Sequence, residues 1–110
     1  MAYLAGDVIL VPFPFRDQLA ERVRPAVVVS CAQYNHLHDL VVAAVTSHPP
    51  RNPFDLQLQD WAGAGLKIPS TVRMLLATIA ADRVVLSIGH LTNSDWQEVQ
   101  KRMGQLFAWP

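Results

Sequence analysis

The chain has 110 residues, of which 51% are hydrophobic and 16% are charged, and its nine Lys plus Arg balance nine Asp plus Glu. This length favours one domain, 1–110, and the apolar content excludes a disordered chain, which would lack the hydrophobic surface needed to offset the entropy lost on folding. The balanced charge argues against a general nucleic-acid binder, because such proteins usually carry a basic excess, so any positive site has to be local.

The sequence has no features of a membrane or secreted protein. No apolar run approaches the ~20 residues of a membrane-spanning helix, and residues 1–7 lack the basic start and apolar core of a secretory signal. We therefore expect a cytoplasmic protein. The single cysteine, Cys31, can form no internal disulfide and is expected to be buried as a small hydrophobe. Neither a metal nor another cofactor is expected.

The first half of the chain contains short β-rich runs separated by polar segments. Residues 6–15, GDVILVPFPF, predict a strand that ends at a sheet edge, because Pro12 and Pro14 cannot donate to a central ladder. Residues 16–24 are dense in charge and predict an exposed, mobile loop. A strand is predicted at 26–30, where consecutive valines suit burial on both faces or at a sheet crossing. A helical turn at 33–36 and a further strand at 40–47 follow.

The second half contains three more runs with the period of a strand. Residues 54–59 alternate apolar and polar side chains without exception, which predicts a strand with one buried face. Along 70–79 the same period places Val72, Met74 and Leu76 on one face of a strand and Arg73 on the other. A glycine-containing turn at 61–65 and a last strand at 83–89 complete this half.

Near residue 94 the period changes to that of a helix. Ser94 and Gln97 fit a capping box, in which Ser94 is the N-cap. The face that packs on the sheet is predicted to carry the apolar residues at helical spacing, Trp96, Val99, Met103, Leu106 and Phe107. Several short strands followed by one helix predict a mostly β fold, an antiparallel barrel or curled sheet with a C-terminal α-helix. The apolar excess also favours a dimer.

Five motifs follow one another in a fixed order along most of the chain: GDVILVPFPF at 6–15, RPAVVVS at 24–30, VVAAVTS at 41–47, GLKIPSTVRM at 65–74 and IGHL at 88–91. The ordered set resembles the MazF/PemK toxins of type II toxin–antitoxin systems. This resemblance implies an SH3-like barrel (CcdB/PemK-like), a homodimer and a cognate antitoxin protein as partner. It also implies a sequence-selective, metal-independent endoribonuclease that cleaves single-stranded RNA (mRNA) to 2′,3′-cyclic phosphate and 5′-hydroxyl ends.

By this resemblance, the catalytic residues map onto Arg24 and Thr46, with Ser47 as the neighbouring alternative hydroxyl. Attack of a ribose 2′-hydroxyl on the adjacent phosphate places negative charge on the nonbridging oxygens, which a guanidinium fork and a hydroxyl can stabilise as donors. A guanidinium is almost never deprotonated near neutral pH, so Arg24 is expected to stabilise charge. The general base stays open between His48, water and no defined group.

Other cations are candidate RNA-binding residues: Arg16, Arg22, His48, Lys67 and Arg73. Each has an alternative interpretation as a solvated surface side chain, and Trp61 is interpreted as a core aromatic in preference to a base-stacking one. Two other functions stay open for the whole chain. One is a CcdB-like toxin that poisons gyrase without nuclease activity, and the other is a catalytically inactive module that only binds an antitoxin. The balanced charge favours the gyrase-poisoning toxin, whereas the RP and TS steps favour the nuclease.

Overall fold

The computed structural model describes residues 2–14 and 22–109, which form six strands, two α-helices and one 3-10 turn. In chain order these are β1 (Asp7–Phe13), β2 (Arg22–Val28), α1 (Ala32–Asn35), β3 (Asp39–Thr46), β4 (Leu56–Gln57), β5 (Thr71–Ala80), the 3-10 turn (Ala81–Arg83), β6 (Leu86–His90) and α2 (Asn93–Leu106). All strand pairs are antiparallel, in the order β4-β5-β3-β2-β1-β6. The sheet curls into a half-barrel, which confirms the predicted fold class.

None of the helices in the described residues has both the length and the apolar character that crossing a membrane requires.

Strand β1 confirms the predicted edge. It pairs with β2 as far as Phe13 but with β6 only from Asp7 to Leu10, so Pro12 lies where β1 has a single neighbour. The prediction of a loop at 16–24 is wrong for its last three residues, 22–24. These extend β2 by pairing with the end of β1, because the ladder satisfies the backbone while the Arg22 side chain stays exposed. The rest of that predicted loop, 16–21, lies outside the described residues.

Strand β4 is much shorter than predicted from residues 54–59. The alternation of buried and exposed side chains holds from Leu56 to Gln59, but ladder pairing with β5 is limited to Leu56 and Gln57. Asp55 breaks the expected pattern because its side chain is buried and accepts a hydrogen bond from a backbone amide of the preceding loop. Period alone therefore indicated which side chains are buried better than it indicated the length of the strand.

Consecutive valines in the central strands are buried because the sheet has a core on each face. Val27 of β2 belongs to a first cluster with residues of β4, β5 and α2, whereas Val28 belongs to a second cluster with β1, β3 and the middle of β5. Each cluster takes alternate residues of the same strand, as the pleat requires. This confirms the prediction that the Val run of β2 is buried on both faces.

Helix α2 begins earlier than predicted. Its N-cap is Thr92, whose hydroxyl oxygen accepts from the amide of Asp95 at 3.2 Å, while Ser94 is exposed inside the first turn. Trp96, Val99 and Met103 pack against the first cluster as predicted, but the predicted burial of Leu106 and Phe107 is wrong. The helix ends there, and the Phe107 ring instead stacks on Trp109 with centroids 4.9 Å apart.

The helical turn predicted after β2 is confirmed as α1, but the prediction for the cysteine is wrong. Cys31 occupies the N-cap position of α1 and is exposed. The buried position belongs to Asn35, whose amide nitrogen donates to the carbonyl oxygens of Tyr3 at 2.9 Å and Ser30 at 3.0 Å. A buried amide is tolerated because its donors are used.

Candidate functional site

A cleft of about 710 Å³ lies across the ends of several strands and is bordered by the loop from Gly65 to Ser70. Six predicted site residues line it: Arg24, Thr46, Ser47, His48, Lys67 and Arg73. They are separated by up to 49 positions along the chain, so the fold brings them together. Arg22, exposed at the start of β2, is not among the lining residues, and Arg16 lies outside the described residues.

Strand register brings the Arg24 and Thr46 positions to the same level of the sheet. In the β2–β3 ladder, Ala26 pairs with Ala44, and two residues further in the same direction lie Arg24 on β2 and Thr46 on β3. Residues two apart on a strand point to the same face. Both side chains are half-buried and both line the cleft. A guanidinium and a hydroxyl are thus presented together from adjacent strands.

The Thr46 hydroxyl already accepts one hydrogen bond. The backbone amide of His48 donates to Thr46 Oγ1 at 3.2 Å, which orients the oxygen and leaves the hydroxyl proton available for donation. Ser47, between them, is exposed. The turn after β3 therefore positions Thr46 as a donor, whereas the neighbouring serine lacks a comparable contact among the described residues.

Arg73 enters the cleft from a bulge in β5. Between the pairs Ala43–Leu76 and Val45–Val72, β3 advances by two residues while β5 advances by four, so β5 contains extra residues at this level. Bulges of this kind redirect side chains and occur often beside active sites. In the described structure the Arg73 Nε atom is buried and has no hydrogen-bond partner. A buried guanidinium donor without a partner is costly, which is typical of a position that binds an anion.

A second bulge fixes the opposite side of the cleft. The β1–β6 register shifts between Val8 and Ile9, which adds one residue to β6 at Ile88, a cleft-lining residue. The backbone of Gly65 packs on this bulge so closely that a Cβ there would lie 2.0 Å from the Ile88 carbonyl oxygen. Gly65 also has a φ of +88°, a conformation that side chains disfavour. The loop carrying Lys67 is thereby held against β6.

The charge of the cleft explains how a neutral chain can contain a strongly positive site. Four of its nine Lys and Arg residues line the cleft, Arg24, Arg51, Lys67 and Arg73, and within residues 2–14 and 22–109 no Asp or Glu does. The described acids lie elsewhere, for example in the α2 N-terminus. Balanced composition therefore hides a local excess of positive charge, which can attract a phosphate backbone.

Several lining residues received no site role from the sequence. Arg51, which follows two prolines, was counted only as one of the cations that could form a local positive site, although its position five residues after Thr46 was an available indication. Exposed Ile68 and Leu86 add an apolar surface beside the cations. Trp61 packs against the first core cluster, as its interpretation as a core aromatic predicted.

In the described part of the chain, no group of three or more His, Cys, Asp or Glu side chains is arranged to hold a metal ion.

Comparison with known proteins gives a family and a fold. The family model described as PemK-like, MazF-like toxin of type II toxin–antitoxin system matches residues 4–107. Direct comparison with curated protein sequences gave no significant match.

Solved structures are similar over almost the whole chain. An endoribonuclease in complex with its cognate antitoxin from a mycobacterial species is 16% identical, with a TM-score of 0.79 over 99% of this chain and 98% of that chain. A MazE–MazF structure from Deinococcus radiodurans is 21% identical, with a TM-score of 0.79 over 100% of both chains. The Mycobacterium tuberculosis toxin MazF-mt6 is 20% identical, with a TM-score of 0.76 over 94% and 98% of the two chains. At these identities the likeness shows the fold.

Proposed function

The chain belongs to the PemK-like, MazF-like toxins of type II toxin–antitoxin systems, and we propose that it is a metal-independent, sequence-selective endoribonuclease that cleaves single-stranded RNA in the cleft. The observation that carries this proposal is the position of Arg24 and Thr46 on adjacent strands, at the same level of the sheet, in a cationic cleft without a described acid. A solved structure that shares the fold is also that of an endoribonuclease. We propose one functional domain, 1–110.

The proposed reaction is a transesterification in which the RNA supplies its own nucleophile. The ribose 2′-oxygen forms a bond to the adjacent phosphorus, and the bond from phosphorus to the 5′-oxygen of the next nucleotide breaks. One proton leaves the 2′-hydroxyl and one is added to the departing 5′-oxygen. The products are a 2′,3′-cyclic phosphate and a 5′-hydroxyl, and no water or metal is consumed.

The cleft residues act on the charge that develops at phosphorus. Arg24 donates from its planar fork to the nonbridging oxygens, and the Thr46 hydroxyl, oriented by the His48 amide, donates a further hydrogen bond. Fixed donors of this kind stabilise the transition state without having to reorient during the reaction. The proton of the 2′-hydroxyl passes to the His48 imidazole or to water. Ser47 stays an alternative hydroxyl, for which mutation provides the test.

Neighbouring residues hold the RNA on either side of the reacting phosphate. Lys67 and Arg73 contribute positive charge, and the unpartnered Arg73 Nε supports a role in binding an anion. Exposed Ile68 and Leu86 provide apolar surface for unstacked bases, which are accessible only in single-stranded RNA. Arg16 and Arg22 stay predicted RNA contacts outside this set.

The proposed partners are a second copy of the chain and a cognate antitoxin. A structure with the same fold is an endoribonuclease in complex with its cognate antitoxin, and we extend that partnership to this chain, acting in the cytoplasm. Exposed Val85, directly before the edge strand β6, is consistent with a homodimer that covers apolar surface. An acidic antitoxin segment would compete with RNA for the positive charge of the cleft.

The test is cleavage of a long single-stranded RNA by the purified protein in EDTA, followed by mapping of both ends of each product. Discrete cuts with cyclic phosphate and 5′-hydroxyl ends, absent with Arg24→Ala, are expected. Intact RNA would contradict the proposal, and inhibition of gyrase by the same preparation would then assign the chain to the gyrase-poisoning toxins. Intact RNA and active gyrase, with binding to the antitoxin retained, would indicate a catalytically inactive module.

A further inference from the structure

The loop between β3 and β4 has a stiff backbone. It contains Pro49, Pro50 and Pro53, each of which fixes one backbone torsion. Between these prolines, the backbone amide of Arg51 donates to Asp55 Oδ2 at 2.9 Å, and Asp55 is only 5% exposed. A buried carboxylate is therefore used to hold the backbone of an exposed arginine.

Two further contacts connect this loop to the rest of the fold. Asn52 Oδ1 accepts from the amides of Phe54 at 2.9 Å and Asp55 at 3.2 Å, closing a turn directly after Arg51. From helix α2, the Arg102 guanidinium donates to the Pro53 carbonyl oxygen. The loop is thus fixed at Arg51, at the following turn and at α2, so little backbone entropy is left to lose when Arg51 binds a ligand.

The Arg51 side chain is exposed, lines the cleft and has no hydrogen-bond or ion-pair partner among the described residues. Asp55 does not neutralise it in the described structure, because the recorded contact of that carboxylate is with the Arg51 backbone amide. Arg51 also lies beyond the end of β3, on the loop rather than on the strands that carry Arg24 and Thr46. Its guanidinium therefore lines the same cleft as Arg24 and Thr46 without an internal partner, and a guanidinium can bind a phosphate through two donors.

We propose that Arg51 binds a backbone phosphate of the RNA next to the cleaved one, and that Asp55 is the positioning residue that holds Arg51 for this contact. The inference rests on the proposed function, since it requires RNA in the cleft. It adds a binding residue outside the reacting pair. Arg51 should therefore contribute to RNA affinity and KM and contribute little to kcat.

The salt dependence of RNA binding tests this contact. The probe is an RNA with a 2′-deoxynucleotide at the mapped cut, and its Kd is measured over a range of salt for wild type and Arg51→Gln. Loss of one phosphate contact is expected to reduce the slope of log K against log salt by about 0.7. Lys101→Gln removes the same charge from the exposed face of α2, outside the cleft lining, and should leave the slope unchanged.

Variants of Asp55 test the positioning role. Asp55→Ala removes the acceptor for the Arg51 amide and should reduce the slope as Arg51→Gln does, whereas Asp55→Asn keeps an acceptor oxygen and should restore it. In Arg51→Gln/Asp55→Ala, the two changes should give no larger loss than one of them. Melting curves identify any variant that fails to fold. If Asp55→Ala does not fold, the salt slope of Asp55→Asn is compared with those of wild type and Arg51→Gln.

The outcomes separate this inference from the proposed function. If the wild-type chain neither binds nor cleaves RNA, the proposed function is overturned. If the wild type cleaves RNA but Arg51→Gln keeps the full salt slope, the Arg51 contact alone is overturned. A full slope in folded Asp55→Ala, with a reduced slope in Arg51→Gln, overturns the positioning role of Asp55.

Discussion

Two polar regions of this fold use their charged side chains differently. At the start of α2, Asp95 is only 1% exposed, and its two carboxylate oxygens accept from the amides of Gln59 and Asp60, each at 3.0 Å. In the cleft, Arg73 keeps a buried Nε without a described partner, and Arg51 leaves its guanidinium free. In the first region the charged group has hydrogen-bond partners within the chain. In the second, the charged groups have donors without such partners.

This difference separates stabilising groups from binding groups. A buried carboxylate that accepts backbone hydrogen bonds stabilises the fold, because removing it would leave backbone donors unpaired. Donors without internal partners contribute little stability but are available to an anion. Mutations in the two regions should therefore change different measured quantities, the Tm for one and RNA cleavage for the other.

The largest expected effect is that of Arg24→Ala. Loss of a fixed donor to the transition state typically lowers the rate about 10²- to 10³-fold, and we expect a loss of that size with little change in Tm. Single-turnover cleavage and a thermal melt measure the two quantities. Lys101→Ala is the control for loss of a surface charge and should retain full activity. A folded Arg24→Ala that cleaves at the wild-type rate would remove Arg24 from the site.

Asp95→Ala should have the opposite effects, lowering the Tm and leaving the chemistry of the cleft unchanged. It leaves the Gln59 and Asp60 amides without their acceptor, and each loss costs about 1–2 kcal/mol, the lower part of the range for an unpaired donor, because these hydrogen bonds are only part-buried. We expect a total of about 2–4 kcal/mol, seen as a Tm lower by roughly 10 °C or more. Asp82→Ala, an exposed acid of the same charge, should change the Tm little. An unchanged Tm in Asp95→Ala would show that this carboxylate does not stabilise the fold.

Thr46→Val should reduce cleavage less than Arg24→Ala does. The change preserves the shape of the side chain and removes one hydrogen bond to a charged group, worth about 1.5–3 kcal/mol, or roughly 10- to 100-fold in rate. Ser47→Ala in the same assay decides between the two adjacent hydroxyls. A large loss in Ser47→Ala with none in Thr46→Val would reassign the role to Ser47.

Gly65→Ala should have a moderate effect on both the Tm and RNA cleavage. The added Cβ would meet the Ile88 carbonyl oxygen, and the left-handed backbone is strained for alanine, at a cost of about 1–3 kcal/mol. Because this loop carries Lys67, KM for RNA should rise as the Tm falls. Gly104→Ala is the matched control, since its Cβ meets nothing within 4 Å, and replacing a helical glycine should raise stability by about 0.5–1 kcal/mol. Equal melting temperatures for wild type and Gly65→Ala would contradict the close packing of this loop on β6.

The fold was largely predictable from periodicity. Val27 and Val28 indicated a strand buried on both faces, and the structure contains a core on each side of it. Predictions failed where side-chain hydrogen bonds override periodicity. Asp55 turns inward to hold a loop and shortens β4, and Thr92 caps α2 ahead of Ser94 because the adjacent Asp95 is held by the 59–60 backbone.

The candidate site was less predictable because it depends on register. Arg24 and Thr46 were named from a family resemblance, but their common level on the sheet follows from the Ala26–Ala44 pair, which no local pattern encodes. The bulge that redirects Arg73 is likewise a property of two strands together. Nothing in the sequence singled out Arg51 among the cations, because the proposed role depends on a carboxylate four residues later that proved to be buried.

Cleavage of an RNA with a single 2′-deoxynucleotide at a mapped cut site is the decisive test of the proposed transesterification. We expect this RNA to bind with nearly the affinity of the unmodified RNA, to resist cleavage at the substituted position, and to be cut normally at every other site, because the missing 2′-hydroxyl is the nucleophile. Cleavage at the deoxynucleotide itself would contradict the account, since the attacking group would then have to come from water or from the protein.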